Sequence, residues 1–238
     1  SLKAVGIEVA ARPILLTGDL TDVPEDIRQC EEETTEGSEV CIQHVLPHYL
    51  DYNGNFRKNI AVLITETIGW ENSGWANHIN MMDEVWVPNC DAKRYANIKP
   101  KIKVVPHACD INRYKDVKKA VIPELQNGYT FYYVGEHNRR KRISAFIEAF
   151  HLEFGSNEPV NILLKVYQPN KPAHETFNEV VSLCNQIKTG LKLYPDVTRY
   201  HNEFIMANYM SDEDLLALHN ACDCFVLTSY GEAWSYPT

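Results

Sequence analysis

Residues 224–238 read CFVLTSYGEAWSYPT, and the fold is decided by how that stretch is parsed. The run 224–228 is short, apolar and partly β-branched, the pattern of a strand buried on both faces. Ser229, Tyr230 and Gly231 make a turn, with glycine free to take conformations that other residues avoid. Glu232 then stands in front of Ala-Trp-Ser-Tyr-Pro-Thr, where Pro237 suits the first turn of a helix. A strand that delivers a carboxylate into a loop ahead of a helix start is one half of a strand–helix repeat. Backbone amides are free at such a place, and the helix dipole adds to them, so anions are favoured there.

The same rhythm runs back through the chain. Apolar strand patterns occupy residues 7–11, 39–47, 58–65, 83–89 and 101–105, then 129–134, 160–167 and 203–209. Helical spacing is found over 75–82 and 90–97, after residue 142 (Ile143, Phe146, Ile147, Phe150, Phe154) and over 173–190. Ser211-Asp-Glu-Asp is a capping start for one more helix carrying Leu215, Leu216 and Leu218. Residues 1–6 read as a helix end and turn, and 19–39 as a short helix with an acidic, solvated loop. Polar, Asn-, Pro- and Gly-punctuated residues interrupt the pattern over 111–128. Alternation of this kind predicts an α/β chain of two Rossmann-like domains whose parallel sheets face a central cleft. The expected division is 1–118, a linker at 119–128, and 129–238.

Composition narrows the function. Of 238 residues, 45% are hydrophobic and 23% charged, and the formal charge is −9, which argues against a general nucleic-acid binder because phosphate backbones attract positive surfaces. No run reaches the roughly eighteen apolar residues of a membrane span. Seven cysteines without framework spacing fit reduced thiols and a cytoplasmic setting. Cys222 and Cys224 have no second pair at zinc-like spacing, so no metal is expected.

The candidate chemistry lies in the loops. Residues 135–142, GEHNRRKR, place up to four cations between a strand and a helix start, where the dipole disfavours them unless an anion lies between. Arginine and lysine there would neutralise a diphosphate through charge-assisted bonds; a solvated basic turn reads the same way. Glu66 follows the strand at 58–65 into a loop. Lys165 stands inside an otherwise apolar strand, either snorkelling to solvent or reaching a ligand. His44 ends an earlier strand, as a structural histidine or one that faces the cleft. Segments 83–89 (DEVWVPN) and 104–110 (VVPHACD) are strands ended by proline and a polar residue, with Asp110 as a turn or cap residue.

Taken with their order, these segments resemble family 4 retaining glycosyltransferases (glycosyltransferase group 1) of the GT-B fold. Residues 231–237 are similar to the E-G-F-G-L-P…E signature, with Glu232 as the first carboxylate and Pro237 as the proline; the second carboxylate would fall at position 240, past Thr238. Arg140 and Lys141 look like the family's R-K pair. The glycine that follows the lysine in the family is here Arg142, which leaves Arg139 and Arg140 both open as the arginine. Residues 83–89 and 104–110 resemble D-x-V-x-x-P-S and V-P-N-G-V-D, and Glu66 stands where family members commonly carry a histidine.

The resemblance implies a GT-B fold that is incomplete at both ends. It implies transfer of a sugar, with retention and without metal, from a nucleotide-diphosphate sugar to a hydroxyl on a carbohydrate, lipid-linked or protein acceptor. Glu232 and Glu66 would be the catalytic carboxylates. Gly135, Arg139, Arg140, Lys141 and the amides of Trp234, Ser235 and Tyr236 would hold the diphosphate, with Lys165 and His44 as donor or acceptor contacts. Peripheral contact with a membrane is compatible with this reading. A catalytically silent sugar-nucleotide-binding module and a nucleotide-sugar epimerase use the same fold and stay open as alternatives.

Overall fold

The computed structural model describes residues 2–14, 23–66, 69–91, 97–123, 125, 128–232, 234 and 235. The chain divides into two α/β units, one of Ser1–Leu63 with Glu71–Val104 and the other of Ile64–Trp70 with Val105–Thr238.

The first unit carries α1 (Glu25–Glu32), β1 (Val40–Gln43), β2 (Lys58–Val62), α2 (Trp75–Ile79), β3 (Glu84–Val87) and β4 (Lys101–Val104). Its sheet is parallel throughout, in the order β1-β2-β3-β4. Ile60, Ala61, Val85 and Val87 are buried in the two central strands. That is why both read as near-continuous apolar runs. Asn59 interrupts β2 without leaving an unpaired group: its amide exchanges two hydrogen bonds with the Asn53 backbone, and its own N–H donates to Asp83 Oδ2 at 2.7 Å. Residues 7–11, expected as a strand, join no sheet. Ala11 N–H donates to Cys30 O at 2.7 Å, and Ile7 stays half exposed, so the run lacks the buried neighbour that a strand would need. Of the helix expected over 90–97, residues 92–96 lie outside the described residues.

Glu84 shows how this sheet handles a buried charge. Its carboxylate is almost wholly covered, yet it accepts from Lys58 Nζ on β2 and Lys103 Nζ on β4, both at 2.7 Å, and from Trp86 Nε1 at 2.6 Å. Burial works against ionisation, but hydrogen bonds from Lys103, Lys58 and Trp86 outweigh it and bring the carboxyl down to about 2. A depressed folded value stabilises the protein above the ordinary carboxyl range, and that stability is lost as pH falls toward 2. Both lysines are partly solvated, so the contribution is about 1–2 kcal/mol. In thermal melts between pH 5 and 3, Glu84→Gln is expected to start less stable by that amount and to lose less on acidification.

The second unit carries β5 (Tyr129–Glu136), α3 (Ile143–Glu153), β6 (Val160–Tyr167), α4 (Ala173–Leu191), β7 (Glu203–Met206), α5 (Asp212–Ala221) and β8 (Cys224–Phe225). Its sheet is again parallel, in the order β7-β6-β5-β8. Side chains alternate across it with the period of two that a strand imposes. Tyr133, Ile162, Leu164 and Val166 pack with Ile147 and Phe150 of α3 and with Val180 and Cys184 of α4. Tyr132 and Leu163 face the other way, onto Leu218 of α5. The Ser211 hydroxyl caps α5 by accepting from Asp214 N–H, as the capping pattern predicts. Ala120 N–H donates to Ala217 O and Asn220 Nδ2 to Val117 O, which lays this part of the chain along α5.

In the first unit β1 ends at Gln43 rather than 47 and β2 at Val62 rather than 65, and in the second unit three strand boundaries differ from the sequence pattern. β7 ends at Met206 rather than 209, and β8 spans two residues, with Val226 N–H adding one further bond to Tyr132 O. β5 runs two residues further, to Glu136. Gly135, expected in the turn, is therefore a strand residue paired with Val166. Its missing side chain leaves room for the Tyr133 hydroxyl, which would lie 2.6 Å from a β-carbon there and donates to Glu136 O. Because all strands run parallel, the loops after β5, β6, β7 and β8 leave from the same, carboxyl edge of the sheet, the usual place for a ligand in such folds.

Candidate functional site

The loop after β5 and the loop after β8 are stitched together by their backbones. Tyr230 N–H donates to Arg140 O at 2.9 Å, and the Thr228 hydroxyl donates to Arg142 O at 2.9 Å. Arg142, just ahead of α3, takes the left-handed conformation, φ 49° and ψ 45°. A non-glycine residue adopts that backbone only at a free-energy penalty, and here the bond from Thr228 and the stacking of its guanidinium 4.9 Å over the Tyr230 ring help to hold it. The glycine that the resemblance expects at this position thus corresponds to a real conformational demand.

Within this frame the two cations turn inward onto one carboxylate. Lys141 Nζ lies 2.5 Å from Glu232 Oε1, and Arg140 Nη1 lies 3.3 Å from Glu232 Oε2 while donating to Gly231 O at 3.0 Å. Arg140 Nε also reaches Glu66 Oε2 at 3.2 Å. Asn138 orients the turn by accepting from Lys141 N–H. Burial opposes the charge on Glu232, but the bond from Lys141 and the charge of Arg140 outweigh it and hold the carboxyl below its usual range. Beneath the loops, burial and then the Glu232 charge push the Tyr133 hydroxyl well above its ordinary value, so it stays a neutral donor. Gly231 is required by proximity rather than by φ: a β-carbon there would lie inside the contact shell of the Glu66 carbonyl oxygen.

Sequence-nominated residues outside this cluster divide as follows. Arg139 is exposed and points to neither carboxylate, so the inward arginine is Arg140. Trp234 packs edge-on against His107 at 5.7 Å, and Ser235 is half-buried; Tyr236 and Pro237 lie outside the described residues. His44 belongs to the first unit, where it is exposed just past β1. Lys165 is 7% exposed and lines a cavity of about 450 Å³ at the ends of β6 and β7. Nothing in the spacing singled out the cavity's other polar residues, Gln168, Lys171, Thr176 and Asn208. Among the described residues no group of three or more His, Cys, Asp or Glu side chains converges as a metal site.

No protein-family model and no curated protein matches the sequence. Solved structures do match in fold. One, described as trehalose-6-phosphate from E. coli bound with UDP-2-fluoro glucose, superposes with a TM-score of 0.61 at 10% identity over 82% of this chain and 53% of its own. A trehalose-6-phosphate synthase studied with bisubstrate glycomimetics for glycosyl transfer with retention gives 0.60 at 9% identity, covering 82% and 53%. An α,α-trehalose-phosphate synthase (UDP-forming) from Burkholderia xenovorans, in complex with glucose-6-phosphate, gives 0.60 at 10% identity, covering 83% and 55%. The chain thus has an α/β fold of the GT-B glycosyltransferase type and spans about half the length of the structures it matches.

Proposed function

We propose that the chain is the nucleotide-sugar-using part of a retaining glycosyltransferase, with Arg140 and Lys141 as the grip on the donor diphosphate. The observation that carries this reading is the convergence of both cations, from the loop after β5, on Glu232 of the loop after β8. Two fixed cations in a partly desolvated pocket are what a departing diphosphate needs, because its charge grows as the sugar leaves. The carboxylates of Glu232 and Glu66 now take that place and leave a full set of donors for phosphate oxygens when they move aside. Folds at this distance in sequence carry no activity by themselves, so the chemistry rests on these side chains.

In the reaction proposed, the bond from the sugar's anomeric carbon to the phosphate oxygen breaks. A bond from that carbon to the acceptor oxygen forms on the same face, and the acceptor proton passes to the leaving phosphate. Glu232 positions the donor sugar, and Glu66 lines its approach. The solved structures named with UDP-2-fluoro glucose and with glucose-6-phosphate support a hexose donor and a sugar acceptor as the first compounds to try. Incubation of the chain with UDP-glucose and glucose-6-phosphate is expected to give a transfer product whose anomeric configuration, read by NMR, matches that of the donor. Donor binding without turnover would favour a silent binding module instead, and an epimerised donor an epimerase.

A further inference from the structure

Residues 137–142 carry the chain from β5 to α3, and both ends of this loop are fixed. β5 is paired with β6 as far as Glu136, and α3 is anchored from its first residue, Ile143, which is buried together with Phe146 and Ile147. The direction in which Arg140 and Lys141 point is therefore set inside the loop. Of its residues only Arg142 has a positive φ. It stands where the chain turns into α3, and no side-chain bond caps the helix there. Were Arg142 to relax to the right-handed region that residues with a β-carbon prefer, the chain would enter the helix at another angle and Lys141 would turn away from Glu232.

Two residues of the β8 loop bear on that turn. The Thr228 hydroxyl lies 2.9 Å from Arg142 O and 3.3 Å from Lys141 O, but it has a single proton to donate, so it fixes the carbonyl beyond the turn rather than the turn itself. Tyr230 acts on the residue directly. Its N–H holds Arg140 O, and its ring faces the Arg142 guanidinium. The ring is 68% exposed, too open to be filling the core. An exposed cation–ring contact is of the same order as the penalty of a left-handed residue other than glycine, so the ring decides which way that balance falls.

We propose that Tyr230 is a positioning residue for the diphosphate grip: by stacking on Arg142 it holds the left-handed turn that aims Arg140 and Lys141 inward, and so does the work of a glycine at 142. The inference rests on the donor reading above. It makes the effect of Arg142 on the ligand one of backbone conformation rather than of charge.

Calorimetric titration of the 238-residue chain with inorganic pyrophosphate tests this. Tyr230→Phe, which keeps the ring, is expected to bind like the wild type, and Tyr230→Ala about threefold to fivefold more weakly. The sharper comparison is at 142. Arg142→Ala and Arg142→Gly both remove the cation and its contact with the ring, but only the second lets the backbone take the left-handed turn freely. Arg142→Gly is therefore expected to bind at least about threefold more tightly than Arg142→Ala, and adding Tyr230→Ala to Arg142→Gly should change nothing further. Equal affinity of Arg142→Ala and Arg142→Gly, or a Tyr230→Ala variant that lowers the melting temperature and leaves pyrophosphate affinity as it was, overturns the inference while the donor reading stands. Pyrophosphate left unbound by the wild-type chain sinks the donor reading, and with it any grip for Tyr230 to position.

Discussion

Lys141→Ala is expected to weaken binding of inorganic pyrophosphate by about tenfold to a hundredfold, while Glu232→Gln strengthens it. The two signs follow from one arrangement. Lys141 and Arg140 are each engaged by Glu232, so a bound diphosphate must compete with a carboxylate already in place. Hydrogen bonds to charged groups contribute about 1.5–3 kcal/mol, and each 1.4 kcal/mol is a factor of ten in affinity. Removing the ammonium takes away one such bond to the ligand. Removing the negative charge of Glu232 takes away the competitor and leaves both cations in excess.

For a whole nucleotide sugar the second variant should behave differently. It binds the diphosphate part more tightly but transfers sugar poorly, because the group that positions the sugar has lost its charge. If the cluster were only a clasp holding two loops together, both variants would lower the melting temperature and neither would change pyrophosphate affinity. Calorimetry with pyrophosphate separates the two cases, and unchanged binding in Lys141→Ala would end the clamp assignment. Arg140 is the weaker test, since Glu66 also holds it and its loss releases two carboxylates at once.

The parts of this structure that were legible in the sequence are those in which one local rule suffices. β6 occupies the residues its apolar run marks, 160–167, because Pro159 before it and Pro169-Asn170 after it bound the run with turn residues. α5 begins where Ser211 and Asp214 say it should. β7 and β8 were overestimated because the length of a strand depends on how far its neighbour continues, which no residue within it records. The segment 7–11 failed for the same reason, having strand-like composition and no partner.

The clamp was legible as charge but not as geometry. Four consecutive residues, Asn138 to Lys141, include three cations and their orienting side chain. Which arginine turns inward was settled by the left-handed backbone at Arg142 and the bonds from Thr228 and Tyr230. Those contacts join residues about ninety positions apart, a separation at which periodicity is silent. The abutment of the Glu66 carbonyl on Gly231 is longer range still.

Nothing in the sequence pointed to the network around Glu203, yet its disruption is expected to have the largest effect on stability. Glu203 opens β7, accepts from Lys188 Nζ of α4 at 2.8 Å and contacts His151 Nε2 of α3 at 2.6 Å, with all three side chains at most 8% exposed. Tyr200 closes the group by donating its hydroxyl to Lys188 O and stacking edge-on with His151 at 5.3 Å. Burial works against the Glu203 charge, but the bonds from His151 and Lys188 outweigh it, and the carboxyl lies below its ordinary range. Glu203→Gln removes the one anion and leaves a buried ammonium facing a neutral amide. Breaking a buried pair in this way costs about 3–5 kcal/mol, which in a domain of this size lowers the melting temperature by roughly 10 °C.

The pH dependence has a definite sign. A depressed carboxyl contributes its stability in full above the ordinary value near 4.5 and loses it as pH falls through the folded one, so the wild-type melt should drop on acidification and this part of the drop should vanish in Glu203→Gln. An apolar replacement of both charges, Glu203→Leu with Lys188→Met, is expected to recover most of the lost stability, because the penalty lies in the unpaired charge rather than in the missing bond. A double variant no more stable than Glu203→Gln would show instead that the polar network itself, and not the balance of charge, joins α3 and α4 to the edge of the sheet.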